Sequence, residues 1–84
     1  MKKIGVIGLG YVGIPLMLAI SESGSTALGF DINKKRVAML NDGKSYLKAF
    51  TDSEIRSHLG TGRFSATADM NKLDECSAIL ICVP

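Results

Sequence analysis

A glycine turn between two apolar runs is the strongest constraint on how this chain can fold. Gly8-Leu9-Gly10-Tyr11-Val12-Gly13 follows Ile4-Gly5-Val6-Ile7 and opens a second apolar run, Ile14 to Ile20. That order reads as strand, tight turn, helix. In such a turn the first glycine takes backbone angles that a β-carbon forbids. The second admits the close approach of a pyrophosphate, and the third lets helix and strand pack closely. The helix that starts there aims unpaired N–H groups and its positive dipole end at the phosphates.

Nine glycines in 84 residues produce short glycine patterns by chance, so the turn takes its meaning from context. Thr26 to Phe30 reads as a second strand, and it ends in Asp31. An acid is wanted there, roughly 20 residues beyond the turn, to accept both hydrogens of a ribose diol. A carboxylate in that place also repels a 2′-phosphate, which points to NAD rather than NADP. The competing reading is purely structural: the glycines make a tight turn, and Asp31 caps the next segment of chain.

Composition narrows the function classes. The chain is 46% hydrophobic, which is globular, and its net charge of +2 gives neither a nucleic-acid stripe nor a polybasic membrane patch. A chain this short buries only about 60% of its unfolded surface, so the expected core is marginal. Cys76 and Cys82 read as small core or near-core residues of a reducing, cytoplasmic protein. With one histidine, His58, at no ligand spacing to either, no zinc site is expected. Met1-Lys2-Lys3 before an uncharged run imitates a secretory signal. However, Gly5, Gly8, Gly10, Gly13 and Pro15 would break a compact apolar helix, and the run to Ile20 is shorter than a membrane span of about 20 residues. The expectation is a soluble protein.

Along the chain, Ile4 to Ile7 is a strand of the kind that helices cover on both faces of a parallel sheet. The helix after Gly10 tolerates Pro15 in its first turns and stops at Gly24. Asn33 caps a second helix with Val37 and Leu40 on one face, closing near Gly43. Lys44 to Phe50 has no period and reads as a loop, in which Tyr46 and Phe50 either face a ligand or cover the core. Thr51-Asp52-Ser53-Glu54 fits a capping box, with Ile55 and Leu59 four apart and Gly60 as the stop. His58 on that helix reads as a surface histidine, because no carboxylate or nucleophile is spaced to serve it. Phe64 to Thr67 alternates as a third strand, Asp69 caps one helical turn through Leu73, and Ala78 to Val83 is a fourth, wholly apolar strand of the buried type. The implied fold is α/β, a Rossmann-type doubly wound parallel sheet of about four strands in the order 3-2-1-4, incomplete at Pro84. Ligands of such sheets bind between strands one and four at their carboxyl ends, so residues beyond Pro84 are expected to belong to the site.

The run from Ile4 through Tyr11-Val12-Gly13-Ile14-Pro15-Leu16 closely resembles the opening of the UDP-glucose/GDP-mannose dehydrogenase family. Gly29-Phe30-Asp31-Ile32-Asn33, Arg36-Val37, Ala66-Thr67-Ala68-Asp69 and Cys82-Val83-Pro84 resemble it too. The resemblance runs the length of the chain but covers only the front of a family member. Within the family, the branch that oxidises UDP-N-acetylhexosamines or UDP-N-acetylmannosamine is the most similar. The resemblance implies that residues 1–84 are the N-terminal part of a dinucleotide-binding domain. It also implies an enzyme oxidising the C6 alcohol of a UDP-sugar to a carboxylate with two NAD, through a later cysteine that is neither Cys76 nor Cys82. The cofactor residues it implies are Gly8, Gly10, Tyr11, Val12, Gly13, Asp31, Arg36, Val83 and Pro84. In these, Tyr11 and Val12 offer N–H groups to the pyrophosphate, Asp31 holds the adenosine ribose with Arg36 beside it, and Val83 and Pro84 line the crevice. No catalytic or metal residue is expected among the 84, and the piece alone is expected to be inactive. A homodimer is implied for the full-length protein. Lys48 departs from the pattern where many relatives carry an acid. Two alternatives stand beside this: another NAD-dependent dehydrogenase of the β-hydroxyacid or 6-phosphogluconate type, and a dinucleotide-binding module without chemistry.

Overall fold

A computed structural model describes residues 2–82. The elements run β1 (Lys3–Ile7), α1 (Gly13–Glu22), β2 (Thr26–Phe30), α2 (Lys34–Asn41), α3 (Asp52–Leu59), β3 (Phe64–Thr67), a 3₁₀ segment (Met70–Glu75) and β4 (Ala78–Ile81). The four strands form one parallel sheet in the order β3-β2-β1-β4, as the sequence implies. Ile4 pairs with Ala27 on one side and Ala78 on the other, and Ala27 pairs with Phe64. The strand order reverses at β1, which places the switch point between β1 and β4 at the end of the sheet where the glycine turn leaves β1.

The caps explain where the helices begin. The Asn33 side chain accepts from the Lys35 and Arg36 N–H groups at 3.1 and 3.2 Å. Thr51 and Glu54 make the reciprocal capping box of α3. The glycine at the end of α3 acts differently from expectation: Gly60 has ordinary helical angles, and the left-handed residue is Gly62 at φ +75°. The expected single turn after Asp69 is a longer 3₁₀ segment, capped by the Asp69 carboxylate on Asn71 N–H at 3.0 Å.

Strand alternation divides the sheet into two unlike faces. Ile4, Val6, Ala27, Phe64 and Ala66 point toward a core filled by Ile14, Met17 and Ile20 of α1, Leu40 of α2 and Ile55 of α3. All three α-helices thus feed one cluster. Leu47, from the stretch with no sequence period, is buried in it as well, and Tyr46 and Phe50 pack against it. On the other face Phe30 and Cys76 converge on Gly5: a β-carbon there would lie 3.2 Å from the Phe30 ring and 3.0 Å from the Cys76 sulfur. The Lys3–Glu75 ion pair, 2.9 Å and solvent-exposed, ties β1 to the 3₁₀ segment.

Two expectations are corrected. β4 is apolar but not buried: Ile79, Leu80 and Ile81 are 44%, 40% and 70% exposed. Within residues 2–82 it is an edge strand whose contacts run chiefly to β1. Its expected continuation through Val83 lies outside the described residues. His58 is likewise not a free surface group. It is half-buried, with Nδ1 3.1 Å from the hydroxyl of the fully buried Ser21 and its ring 6.0 Å from that of Phe64. Its role is to satisfy Ser21 and seat α3 on α1.

The opposite edge is closed by a device that leaves no mark in the sequence pattern. The Asn41 amide donates to the Ala66 carbonyl at 2.8 Å and accepts from the Ala66 N–H at 3.0 Å, occupying the hydrogen-bonding positions a fifth strand would take on β3. Replacing Asn41 with Ala leaves both groups to water and should cost about 1 kcal/mol. For a domain of this size that is a fall in Tm of roughly 4–8 °C. A thermal melt of Asn41→Ala superimposing on the parent curve would show that the edge needs no such closure.

Candidate cofactor site

At the carboxyl end of the sheet the three turn glycines do three different things. Gly8 has φ +97°, which turns the chain out of β1. Gly10 has nothing within 4 Å of where a β-carbon would sit, so its surface is open for close approach. Gly13 is buried, and a β-carbon on it would collide with the Gly8 carbonyl oxygen. The turn is closed because α1 lies against the backbone that precedes it.

The helix begins at Gly13, later than the turn itself suggests. Its N-cap, Val12, has no side-chain cap hydrogen bond, and no acid lies in the first turn. Among the described residues, the N–H groups of Gly10, Tyr11, Val12 and Gly13 find no hydrogen-bond partner. Four donors at the positive end of a helix, with no carboxylate to quench them, make an anion site.

Asp31 faces this turn from the tip of β2. Its Oδ2 accepts from Leu9 N–H at 3.1 Å and its Oδ1 from Asn33 N–H at 2.9 Å. Asp31 is therefore both the structural cap and the candidate ligand. A carboxylate offers about four acceptor positions, so each oxygen keeps room for a further donor. Gly8, Leu9, Gly10, Tyr11, Val12, Asp31, Arg36 and Cys82 line a cleft of about 630 Å³. Tyr11 and Val12 are 70% and 67% exposed at its mouth. The Arg36 guanidinium lies 5.0 Å over the ring of Tyr46, a cation–π contact that holds it on the cleft wall.

Six of the nine residues expected to bind cofactor thus line one cleft. Gly13 is brought close but sits behind the wall, serving packing and offering only its N–H. Val83 and Pro84 lie outside the described residues. Leu9 and Cys82 line the cleft as well. Cys82 follows β4 directly, and its N–H donates to the Ile7 carbonyl at 2.7 Å, which draws it to the switch point. Both cysteines are free thiols, and burial pushes the Cys76 thiol up, away from a reactive thiolate. Among the described residues no group of three His, Cys, Asp or Glu side chains could hold a metal ion, and no helix is long and apolar enough to cross a membrane.

Residues 2–84 match the model of the UDP-glucose/GDP-mannose dehydrogenase family, NAD binding domain. The chain belongs to this family. It is 38% identical over 82 residues to the UDP-N-acetyl-D-glucosamine 6-dehydrogenase of Salmonella typhi, covering 98% of this chain and 18% of that one. Its fold is similar to GDP-mannose dehydrogenase from Pseudomonas aeruginosa, solved as a ternary complex, with TM-score 0.89 and 30% identity over all of this chain and 20% of that one. UDP-D-ManNAc dehydrogenase from Pyrococcus horikoshii gives TM-score 0.88 and 28% identity, covering 96% of this chain and 20% of that one. The chain therefore spans about a fifth of the length of these relatives. The cofactor of the domain is NAD. The features of the cleft fit that group: unpaired donors for a pyrophosphate, open space at Gly10 and an acid placed for a ribose.

The glycines separate packing from binding. Gly13→Ala forces α1 away from the Gly8 carbonyl and should cost about 1–3 kcal/mol, the range for overpacking. Gly10→Ala should melt like the parent protein yet lose NAD affinity, because its methyl group stands in the cleft. Calorimetric titration with NAD beside a thermal melt checks both, and equal NAD affinity for Gly10→Ala and parent would remove the turn from the binding site.

Proposed function

We propose that this chain is the N-terminal part of the NAD-binding domain of a nucleotide-sugar dehydrogenase. The enzyme oxidises the C6 alcohol of a UDP-sugar to a carboxylate, and the catalytic and substrate-binding regions lie outside residues 1–84. One observation carries the reading: Gly10, Tyr11 and Val12, whose N–H groups are unpartnered at the head of α1, share a cleft with the Asp31 carboxylate. Full oxidation removes two hydrides and adds one water, so each sugar consumes two NAD. Bound NAD supplies the hydride acceptor; the residues of this chain supply position and electrostatics. Tyr11 and Val12 offer their N–H groups to the pyrophosphate. Asp31 takes the adenosine ribose diol on its two remaining acceptor positions and excludes a 2′-phosphate. Arg36 lies beside the ribose.

In this reading the protein is a cytoplasmic homodimer that makes activated uronic acids for surface polysaccharide, and it takes a UDP-N-acetylhexosamine as substrate. The share of sequence held with enzymes of that substrate class supports the last point.

The test is turnover by the full-length polypeptide with UDP-N-acetylhexosamines, followed by NADH absorbance. Two NADH per sugar are expected, and a single equivalent would overturn the carboxylate as product. Hydrogen bonds to a charged group carry about 1.5–3 kcal/mol. Asp31→Ala should therefore raise the KM for NAD roughly 10–100-fold while narrowing the preference over NADP. An unchanged KM for NAD would take Asp31 out of cofactor recognition.

A further inference from the structure

Tyr46 lies in the loop between α2 and α3, outside the glycine turn and outside the lining of the cleft, yet it touches two parts of the site at once. Its hydroxyl donates to the Leu9 carbonyl, and its ring carries the Arg36 guanidinium at 5.0 Å. The Leu9 carbonyl and the Gly10 N–H belong to the same peptide unit. The described residues contain no cis peptide bond, so this unit is trans and planar, with carbonyl and N–H pointing in opposite directions. A hydroxyl that holds the carbonyl on the loop side therefore fixes the direction of the Gly10 N–H, one of the four unpartnered donors at the turn. The neighbouring N–H, on Leu9, is held by Asp31 at 3.1 Å. Leu9 is thus clamped at both ends, by an acid from β2 and a phenol from a loop.

We infer that Tyr46 is a positioning residue for the cofactor, acting on the pyrophosphate end through the Leu9–Gly10 peptide and on the adenosine end through Arg36. The inference rests on the NAD-binding reading above and adds to it the residue that couples the two ends. Its chemistry suits the task. Burial, opposed by the Arg36 charge and reinforced by that of Asp31, pushes the phenol up to about 12, so the hydroxyl remains a donor throughout the neutral range. The ring is half-buried against the core, which gives the strut a rigid base. Arg36 keeps its own place in the helix through Asn33, which caps its N–H, so the ring governs only where the guanidinium lies.

The two arms separate by ligand. Tyr46→Phe keeps the ring under Arg36 and removes only the hydroxyl. In the intact protein it should weaken NAD and ADP by roughly 2–10-fold, the worth of one neutral hydrogen bond, and leave adenosine unchanged. Arg36→Met removes the charge at a partly exposed position, and should weaken adenosine and NAD by similar factors. Tyr46→Leu should carry both losses, and adding Arg36→Met to it should cost little more, because the arginine has already lost its support. A purely structural tyrosine would weaken all three ligands alike, and that pattern would overturn the inference. So would a Tyr46→Phe protein that binds ADP as the parent does, or one that no longer melts cooperatively, which would make the hydroxyl a determinant of folding. A parent protein that binds neither NAD nor ADP would instead defeat the cofactor reading on which this one stands.

Discussion

The structure depends on one steric contact, the approach of the Gly13 α-carbon to the carbonyl of Gly8. Without a β-carbon at Gly13, α1 starts directly against the end of β1, and the unpartnered N–H groups of the turn that leads into it are left at the cleft. The same contact sets the height of α1 over the sheet. That height decides how Met17 and Leu9 meet Gly29 of β2, where a β-carbon would lie 2.6 Å from the Met17 sulfur and 2.7 Å from a Leu9 methyl. Phosphate geometry at one end and core packing at the other are therefore consequences of the same missing atoms.

A second tier of contacts holds the turn in place. Gly8 N–H bonds to the Phe30 carbonyl at 2.9 Å, Leu9 N–H to Asp31, and the Leu9 carbonyl to Tyr46. Asp31 serves scaffold and ligand together. Its two backbone bonds hold the carboxylate in a fixed orientation before any ribose arrives, so less ordering remains to be lost on binding. The arrangement also keeps the one acid of the cleft off the head of α1, where it would compete with phosphate for the same donors.

The sheet is built asymmetrically. One face carries the three helices and almost the whole core, whereas the other is covered near Gly5 and Phe30 by the residues around Cys76. β4 completes the switch point and brings Cys82 to the cleft, and within residues 2–82 its own apolar side chains are exposed. Apolar sequence alone could not tell a buried strand from an uncovered edge, since both read as a run of Ile, Leu and Val. Exposure is set by what lies on either side of the strand.

The local chemistry of the chain determined most of the fold and most of the residues that line the site. The spacing of Gly8, Gly10 and Gly13, the acid after β2, the caps at Asn33, Thr51 and Asp69, and the apolar runs each act over a few residues. Backbone sterics and hydrogen-bond geometry read them out without reference to the rest of the chain. Tertiary structure alone decided the remainder: Leu47 in the core, Asn41 on the edge of β3, His58 on Ser21, Cys82 in the cleft, and Tyr46 between Leu9 and Arg36. Each of these joins residues far apart in sequence, through side-chain hydrogen bonds and ring contacts at Asn41, His58 and Tyr46, apolar packing at Leu47 and a backbone hydrogen bond at Cys82. Such contacts have no period and no flanking signature, because their partners become neighbours only when the parallel strands pair and the helices settle on one face.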